Sequence, residues 1–157
     1  MRNWMASIAL AAPVTAAAIA LAVVSVAERA GHPLFAADAA RNSADAVADG
    51  NAAAVVRFLE AGEDPLALHP VKPSAISSEI PLVTTAEAAV LARRPEMLLL
   101  LEQRGALQDP VLRRALACLA ADRGESSALS FLSPSGPPTC EPGAALERIM
   151  ARGRASR

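Results

Sequence analysis

Residues 50–65 read GNAAAVVRFLEAGEDP, and their pattern returns in RPEMLLLLEQRGA at 94–106 and in GESSALSFLSPSG at 124–136. An apolar pair closed by a glycine recurs after 43 positions and again after a further 31: Val55, Phe58 and Gly62; Leu98, Leu101 and Gly105; Leu129, Leu132 and Gly136. Such internal similarity is the sequence signature of stacked helical repeats. The pattern therefore predicts an all-α body in which short helix pairs lie side by side.

Helix breakers and caps divide this body into three units and one insertion. We predict units over residues 35–64, 81–107 and 109–136, with an insertion at 65–80. Asn51 is a plausible cap for the second helix of the first unit. In the second unit a first helix is expected over 81–92, and a second helix is expected to start at Pro95, a favourable first-turn residue. The third unit should begin with Asp109 as a cap and Pro110 in the first turn. Small residues share a register in the three first helices, which would let neighbouring pairs approach closely: Ser43, Ala86 and Ala117, and then Ala46, Ala89 and Ala120.

The second unit should supply the centre of the core. We expect Leu98, Leu99 and Leu101 to be buried there, because this unit has a neighbour on each side. The flanking units should contribute the remaining large apolar side chains: Val55, Phe58, Leu59, Leu129 and Leu132.

These residues resemble the ankyrin repeat family, in a degenerate form of about three repeats. The stretch VVRFLEAGEDP at 55–65 is similar to the family's second helix and its closing Gly-x-Asp/Asn-Pro, and LLLLEQRGA at 98–106 fits the same helix. Pro81-Leu82 is similar to the opening of a unit. The resemblance covers residues 35–136 and implies a short solenoid. In that family the fingers and the concave helix faces contact partner proteins.

The N-terminal segment does not belong with the repeats. No charged residue lies between Arg2 and Glu28, and these 25 positions, at about 1.5 Å rise each, span the roughly 30 Å hydrocarbon core of a bilayer. We predict that residues 1–27 are a transmembrane anchor, with membrane contact through 4–27, followed by a linker at 28–34. A cleaved signal peptide is the alternative, because Ser25-Val26-Ala27 is a small-x-small triplet.

A short tail before an apolar run is the usual export geometry. We therefore expect a single pass through the inner or plasma membrane with the repeat body outside the cytoplasm. Cleavage near Ala27 would instead release a periplasmic or secreted protein. The arginine-rich, alanine-rich composition is typical of a GC-rich bacterial genome. Outside the cytoplasm Cys118 and Cys140 can form a disulfide worth about 3 kcal/mol; inside it they would stay a small core residue and a loop thiol.

The insertion at 65–80, PLALHPVKPSAISSEI, contains three prolines, so we expect an extended finger or a long loop. Two leucines and one of the two isoleucines, Ile76, have no evident core role, and the histidine and lysine add polar groups beside them. We take these side chains as candidate contacts with a protein partner: Leu66, Leu68, His69, Lys72 and Ile76. A solvated insertion without a ligand is the alternative.

Residues 137–157 should form a capping helix and a basic tail. One face of this helix is apolar, and the opposite face should point into solvent as a cap on a solenoid requires. The apolar face consists of Ala145, Leu146, Ile149 and Met150. The solvent face consists of Glu147, Arg148 and Arg152.

The chain has few groups suited to chemistry. Its two histidines, His32 and His69, have no carboxylate or cysteine at ligand spacing, and there is no GxSxG elbow or glycine-rich phosphate loop. We therefore expect no metal, cofactor or catalytic residue, and a net charge of −1 gives no reason to expect a nucleic-acid partner.

The sequence thus favours a non-enzymatic protein–protein interaction module, either membrane-tethered or exported. A small integral-membrane accessory subunit is the main alternative, with its N-terminal helix as the functional part. A third and weaker alternative is an uncharacterised hydrolase.

Overall fold

The computed structural model describes residues 40–72, 76, 77, 80 and 82–155. The predicted anchor at 1–27, the linker at 28–34 and the start of the first unit lie outside this set. Within it, no helix combines the length and the apolar character needed to cross a bilayer. Residues Ala40–Arg157 form one compact unit.

The described part of the chain is mostly helical, which confirms the all-α expectation for the body. It contains seven helices and two short strands: α1 (Ser43–Ala48), α2 (Ala52–Glu60), β1 (His69–Pro70), β2 (Leu82–Val83), α3 (Thr85–Leu91), α4 (Pro95–Gln103), α5 (Pro110–Asp122), α6 (Ser126–Leu132) and α7 (Ala144–Ala155). The two strands pair antiparallel, with His69 opposite Val83 and Pro70 opposite Leu82.

Several helix starts follow the expected chemistry. Asn51 caps α2, where its side chain accepts a hydrogen bond from the Ala54 amide, and Asp109 caps α5 in the same way. Pro95 and Pro110 occupy the first turns of α4 and α5, where the missing N–H costs nothing. These sequence predictions are confirmed.

The start predicted for the first helix of the second unit is wrong. α3 begins at Thr85 rather than at residue 81, because Leu82 and Val83 are used in the β-ladder. Thr84 then caps the helix: its hydroxyl accepts from the Glu87 amide (3.2 Å), and the Glu87 carboxylate accepts from the Thr84 amide (2.9 Å). This capping box fixes the boundary.

The helices pack as three consecutive pairs, α1 with α2, α3 with α4 and α5 with α6, and the first helices also contact one another, α1 with α3 and α3 with α5. The column of small residues lies in these contacts, and all its members are buried: Ser43, Ala46, Ala86, Ala89, Ala117 and Ala120. The expected close approach of neighbouring pairs is therefore confirmed.

The repeat is also visible in the backbone. Gly50, Arg93 and Gly124, spaced like the apolar pairs, all have left-handed φ values (74°, 60° and 66°). Just after each of them, an amide donates to the carbonyl of a column alanine: Asn51 to Ala46 (2.9 Å), Arg94 to Ala89 (2.8 Å) and Glu125 to Ala120 (2.8 Å). Arg93 holds a conformation that costs a non-glycine residue about 1–2 kcal/mol, so the repeat geometry outweighs its local preference.

The third unit ends differently from the first two. The amides of Glu63 and Ala106 close α2 and α4 by donating to Phe58 and Leu101. The corresponding position in the third unit is Pro137, which has no N–H to donate. Pro134 also disfavours helical backbone at the residue before it, and α6 ends at Leu132.

The core agrees with the predicted register at all but one position. Leu98 and Leu101 are completely buried, as is Val55, while Leu132 is nearly so. Leu99 is 48% exposed, so its predicted core position is wrong. One residue further along a helix turns the side chain by about 100°, away from the face that holds Leu98 and Leu101. The other flanking residues pack partly buried against the core: Phe58, Leu59 and Leu129.

The C-terminal helix α7 contacts α5 and strand β2. Its apolar face is directed inward, with Ala145 and Ile149 buried and Leu146 and Met150 half-buried against the core. The prediction that Arg152 points into solvent is wrong. The Arg152 guanidinium donates two hydrogen bonds to the Glu87 carboxylate of α3, at 2.5 and 3.2 Å.

Candidate partner-binding site

The finger, residues 65–80, is rooted in the core at its base. Strands β1 and β2 pair where it leaves and rejoins the body. Val71 and Ile80 are buried, and Ile76 is half-buried against the same core. The expectation that Ile76 has no core role is therefore wrong, and its side chain helps to hold the finger rather than to extend the exposed surface.

Polar side chains of the α1 segment hold the finger backbone. The Asn42 amide donates to the Pro70 carbonyl (2.9 Å), and the Asp45 carboxylate accepts from the Lys72 amide (2.9 Å). Both Asn42 and Asp45 are buried. Because buried polar groups are costly to leave unpaired, these bonds fix the path of β1 relative to α1.

Two leucines stand exposed where the finger begins. Asp64 shapes a tight turn, in which its carboxylate accepts from the Leu66 amide (2.8 Å) and its carbonyl accepts from the Ala67 amide (3.1 Å). Leu66 and Leu68 are 49% and 44% exposed on this turn. The Pro65 carbonyl, which accepts from the Thr85 amide (3.2 Å), ties the turn to α3.

His69 belongs to an internal polar network. Its Nε2 lies 3.2 Å from the Glu63 carboxylate, which also accepts from the Ser43 amide (2.7 Å) and hydroxyl (2.6 Å). The Ser43 hydroxyl in turn lies 2.6 Å from that of Thr85. A catalytic triad has its histidine between serine and carboxylate; here the carboxylate is in the middle and Ser43 is completely buried. The arrangement suits a structural link between the finger, α1 and α3.

Lys72 is also directed inward. Its Nζ lies 3.4 Å from the Asp49 carboxylate, and its side chain is only 9% exposed. Of the five residues selected from the sequence, the structure thus brings Leu66 and Leu68 together at the surface. The side chains of His69, Lys72 and Ile76 instead make mainly intramolecular contacts.

Cys118 and Cys140, the pair considered from the sequence, form a disulfide with a Cα–Cα distance of 5.6 Å. The bond joins α5 to the segment between α6 and α7. Both cysteines are half-buried, and they line an open groove of about 640 Å³ together with residues of α7. The disulfide therefore borders a groove that is open to solvent.

Four residues that hold the finger or α7 in place were not among those predicted from the sequence: Asn42, Asp45, Glu63 and Glu87. Asn42, which caps α1, and Glu87, in the Thr84-x-x-Glu87 box, carried recognisable cap signals. Asp45 and Glu63 carried none, because their partners are 27 and 20 positions away in the chain. Among the described residues, no group of three or more His, Cys, Asp or Glu side chains is arranged to hold a metal ion.

Comparison of the chain with protein-family models, with curated proteins and with solved structures found no match.

Proposed function

We propose that this chain is a non-enzymatic protein-interaction module built on ankyrin-like repeats, tethered to a membrane or exported, with its partner contact at the finger. The observation that carries the proposal is the exposed pair Leu66 and Leu68 on a turn that is hydrogen-bonded at both ends. In the family that the repeats resemble, the fingers and the concave helix faces contact partner proteins.

The rigidity of the turn favours binding. Fully burying a leucine is worth about 1.5–3 kcal/mol, so covering two half-exposed leucines contributes about 2 kcal/mol in total. This corresponds to a factor of roughly 30 in Kd. Because the turn is already fixed by Asp64 and by Thr85, little of that gain is lost in ordering the loop.

An integral-membrane accessory subunit is retained as a second candidate, because the 25 uncharged positions after Arg2 would suffice to span a bilayer. Replacing residues 1–27 with an unrelated anchor separates the two proposals. An interaction module keeps its partner after this exchange, whereas an accessory subunit loses its activity in the native assembly while the repeats stay folded.

The finger is tested with a double variant, Leu66→Ser and Leu68→Ser, in the full chain. We expect recovery of cross-linked partners from native membranes to fall at least tenfold, with helical content unchanged by circular dichroism. The matched control changes two other exposed apolar residues, Leu99→Ser and Val111→Ser. If the finger variant retrieves the same proteins in the same amounts as the unchanged chain, the finger is not the binding surface.

A further inference from the structure

Three attachments hold α7 against the repeats. Asp122, at the end of α5, accepts hydrogen bonds from the amides of Gly143 (2.8 Å) and Ala145 (3.2 Å). At the other end of α7, Arg152 pairs with Glu87, which is 87% buried at its side chain. The third attachment is covalent, because the Cys118–Cys140 disulfide fixes the segment that leads into α7.

The surface beneath α7 is an apolar groove with one acidic end, which we call the α5 groove. Its floor is formed by one face of α5, and Glu87 of α3 supplies the carboxylate. The groove is lined by Glu87, Leu112, Ala115, Leu116 and Leu119. An amphipathic helix with an arginine at the matching position fits this surface, and α7 is such a helix.

The fit between α7 and this groove is incomplete. A void of about 80 Å³ remains between the two helices. The buried positions of α7 are Ala145, Ile149 and Gly153, so only one of them carries a large side chain. Leu146 and Met150 are half-buried. Because α7 buries so little apolar area, its polar and covalent attachments contribute a large share of what holds it in place.

The disulfide provides that tether. With Cys140 bonded to α5, only residues 141–143 separate the fixed point from the start of α7. Without the bond, the connection runs from the end of α6 at Leu132 through residues 133–143. A longer flexible connection lowers the effective concentration of α7 at the groove. Reduction should therefore make the groove easier for another helix to enter.

We propose that the α5 groove is a binding site for an amphipathic helix of a partner protein, with α7 as its resident and exchangeable occupant. The partner helix presents an apolar residue followed three positions later by an arginine, as α7 presents Ile149 and Arg152. This site is separate from the exposed leucines of the finger. A dithiol opens it by giving two electrons and two protons to the disulfide, which becomes two thiols while the dithiol becomes a cyclic disulfide.

The test uses the full chain in detergent micelles and a fluorescent peptide of residues 143–155, GAALERIMARGRA. Anisotropy should show binding at least tenfold tighter to the dithiol-treated chain than to the oxidised chain. The double variant Cys118→Ser and Cys140→Ser should bind tightly with or without dithiol. A peptide carrying Arg152→Gln should bind at least fivefold more weakly, whereas one carrying Glu147→Gln should bind unchanged, because Glu147 is exposed in α7.

The two peptide variants leave the chain that forms the groove unchanged. Equal affinity for the oxidised and reduced chains, or no saturable binding to either, would overturn the proposal. So would an unchanged affinity of the Arg152→Gln peptide, since the arginine would then not reach Glu87. Dimerisation of the reduced chain without peptide would also overturn it, because the occupant would be the α7 of a second copy.

Discussion

In α4, Leu98 and Leu101 are completely buried, while Leu99 between them is 48% exposed. The first two contact the stack from the face that recurs in every unit. The helical period therefore determines how much a residue contributes to the stability of the fold. A large apolar side chain contributes strongly only where neighbouring helices of the stack bury it.

We expect Leu101→Ala to lower the free energy of unfolding by about 2–5 kcal/mol, because it removes a buried side chain and leaves a cavity. Leu99→Ala is the matched control in the same helix and should change it by less than about 0.5 kcal/mol. Denaturant unfolding of the two variants measures both values. A change below about 1 kcal/mol for Leu101→Ala would show that the register of α4 is wrong.

At the scale of secondary-structure elements, local signals predicted most helix ends. Asn51, Pro95, Asp109 and Pro110 all mark boundaries that the structure has. The predicted start of α3 is too early because Pro81-Leu82 is similar to the opening of a unit, whereas the Thr84-x-x-Glu87 capping box marks the actual start. The strand pairing of Leu82 and Val83 depends on residues 69 and 70. These are too far away in the sequence for a local pattern to reveal the pairing.

The finger's attachment to α1 should depend on Asp45. Asp45→Ala leaves the Lys72 amide without its buried acceptor, so the free energy of unfolding should fall by about 1–3 kcal/mol. Hydrogen exchange at the amides of His69, Val71 and Lys72 should accelerate as well. Asp45→Asn keeps an acceptor oxygen and should restore most of the protection.

Asp49→Ala is the matched control for that change. It removes only the partly exposed ion pair with the Lys72 side chain, so its cost should stay below about 1 kcal/mol. Equal exchange rates in the Asp45→Ala and Asp49→Ala chains would show that the Asp45 bond does not hold the finger.

At the scale of the whole molecule, the repeat period predicted that helix pairs stack but not what the ends of the chain do. The apolar face of α7 was visible in its sequence, whereas its docking partner was not. The contact that orients it, Arg152 with Glu87, joins residues 65 positions apart. Likewise the exposed leucines of the finger could be selected from the sequence, but the inward direction of Lys72 and His69 depends on Asp49 and Glu63, which lie just after α1 and α2.

If the body lies outside the cytoplasm, two measurements should agree. A reporter that is active only outside the cytoplasm should be active when fused after Arg157, since nothing but residues 1–27 is expected to cross the bilayer. In the same cells Cys118 and Cys140 should resist alkylation until a reductant is added. An inactive reporter at normal expression, with both thiols freely alkylated, would place the repeats in the cytoplasm.

The cross-link between Cys118 and Cys140, 22 positions apart in sequence, also has a mechanical consequence. It places α6 and the turn after it inside a closed covalent ring. Tension applied at the two ends of the chain passes from α5 directly to the segment before α7 and bypasses that ring. The oxidised chain is therefore shorter at full extension by about 70 Å. While the bond is intact, the backbone of α6 carries no tension transmitted along the covalent chain.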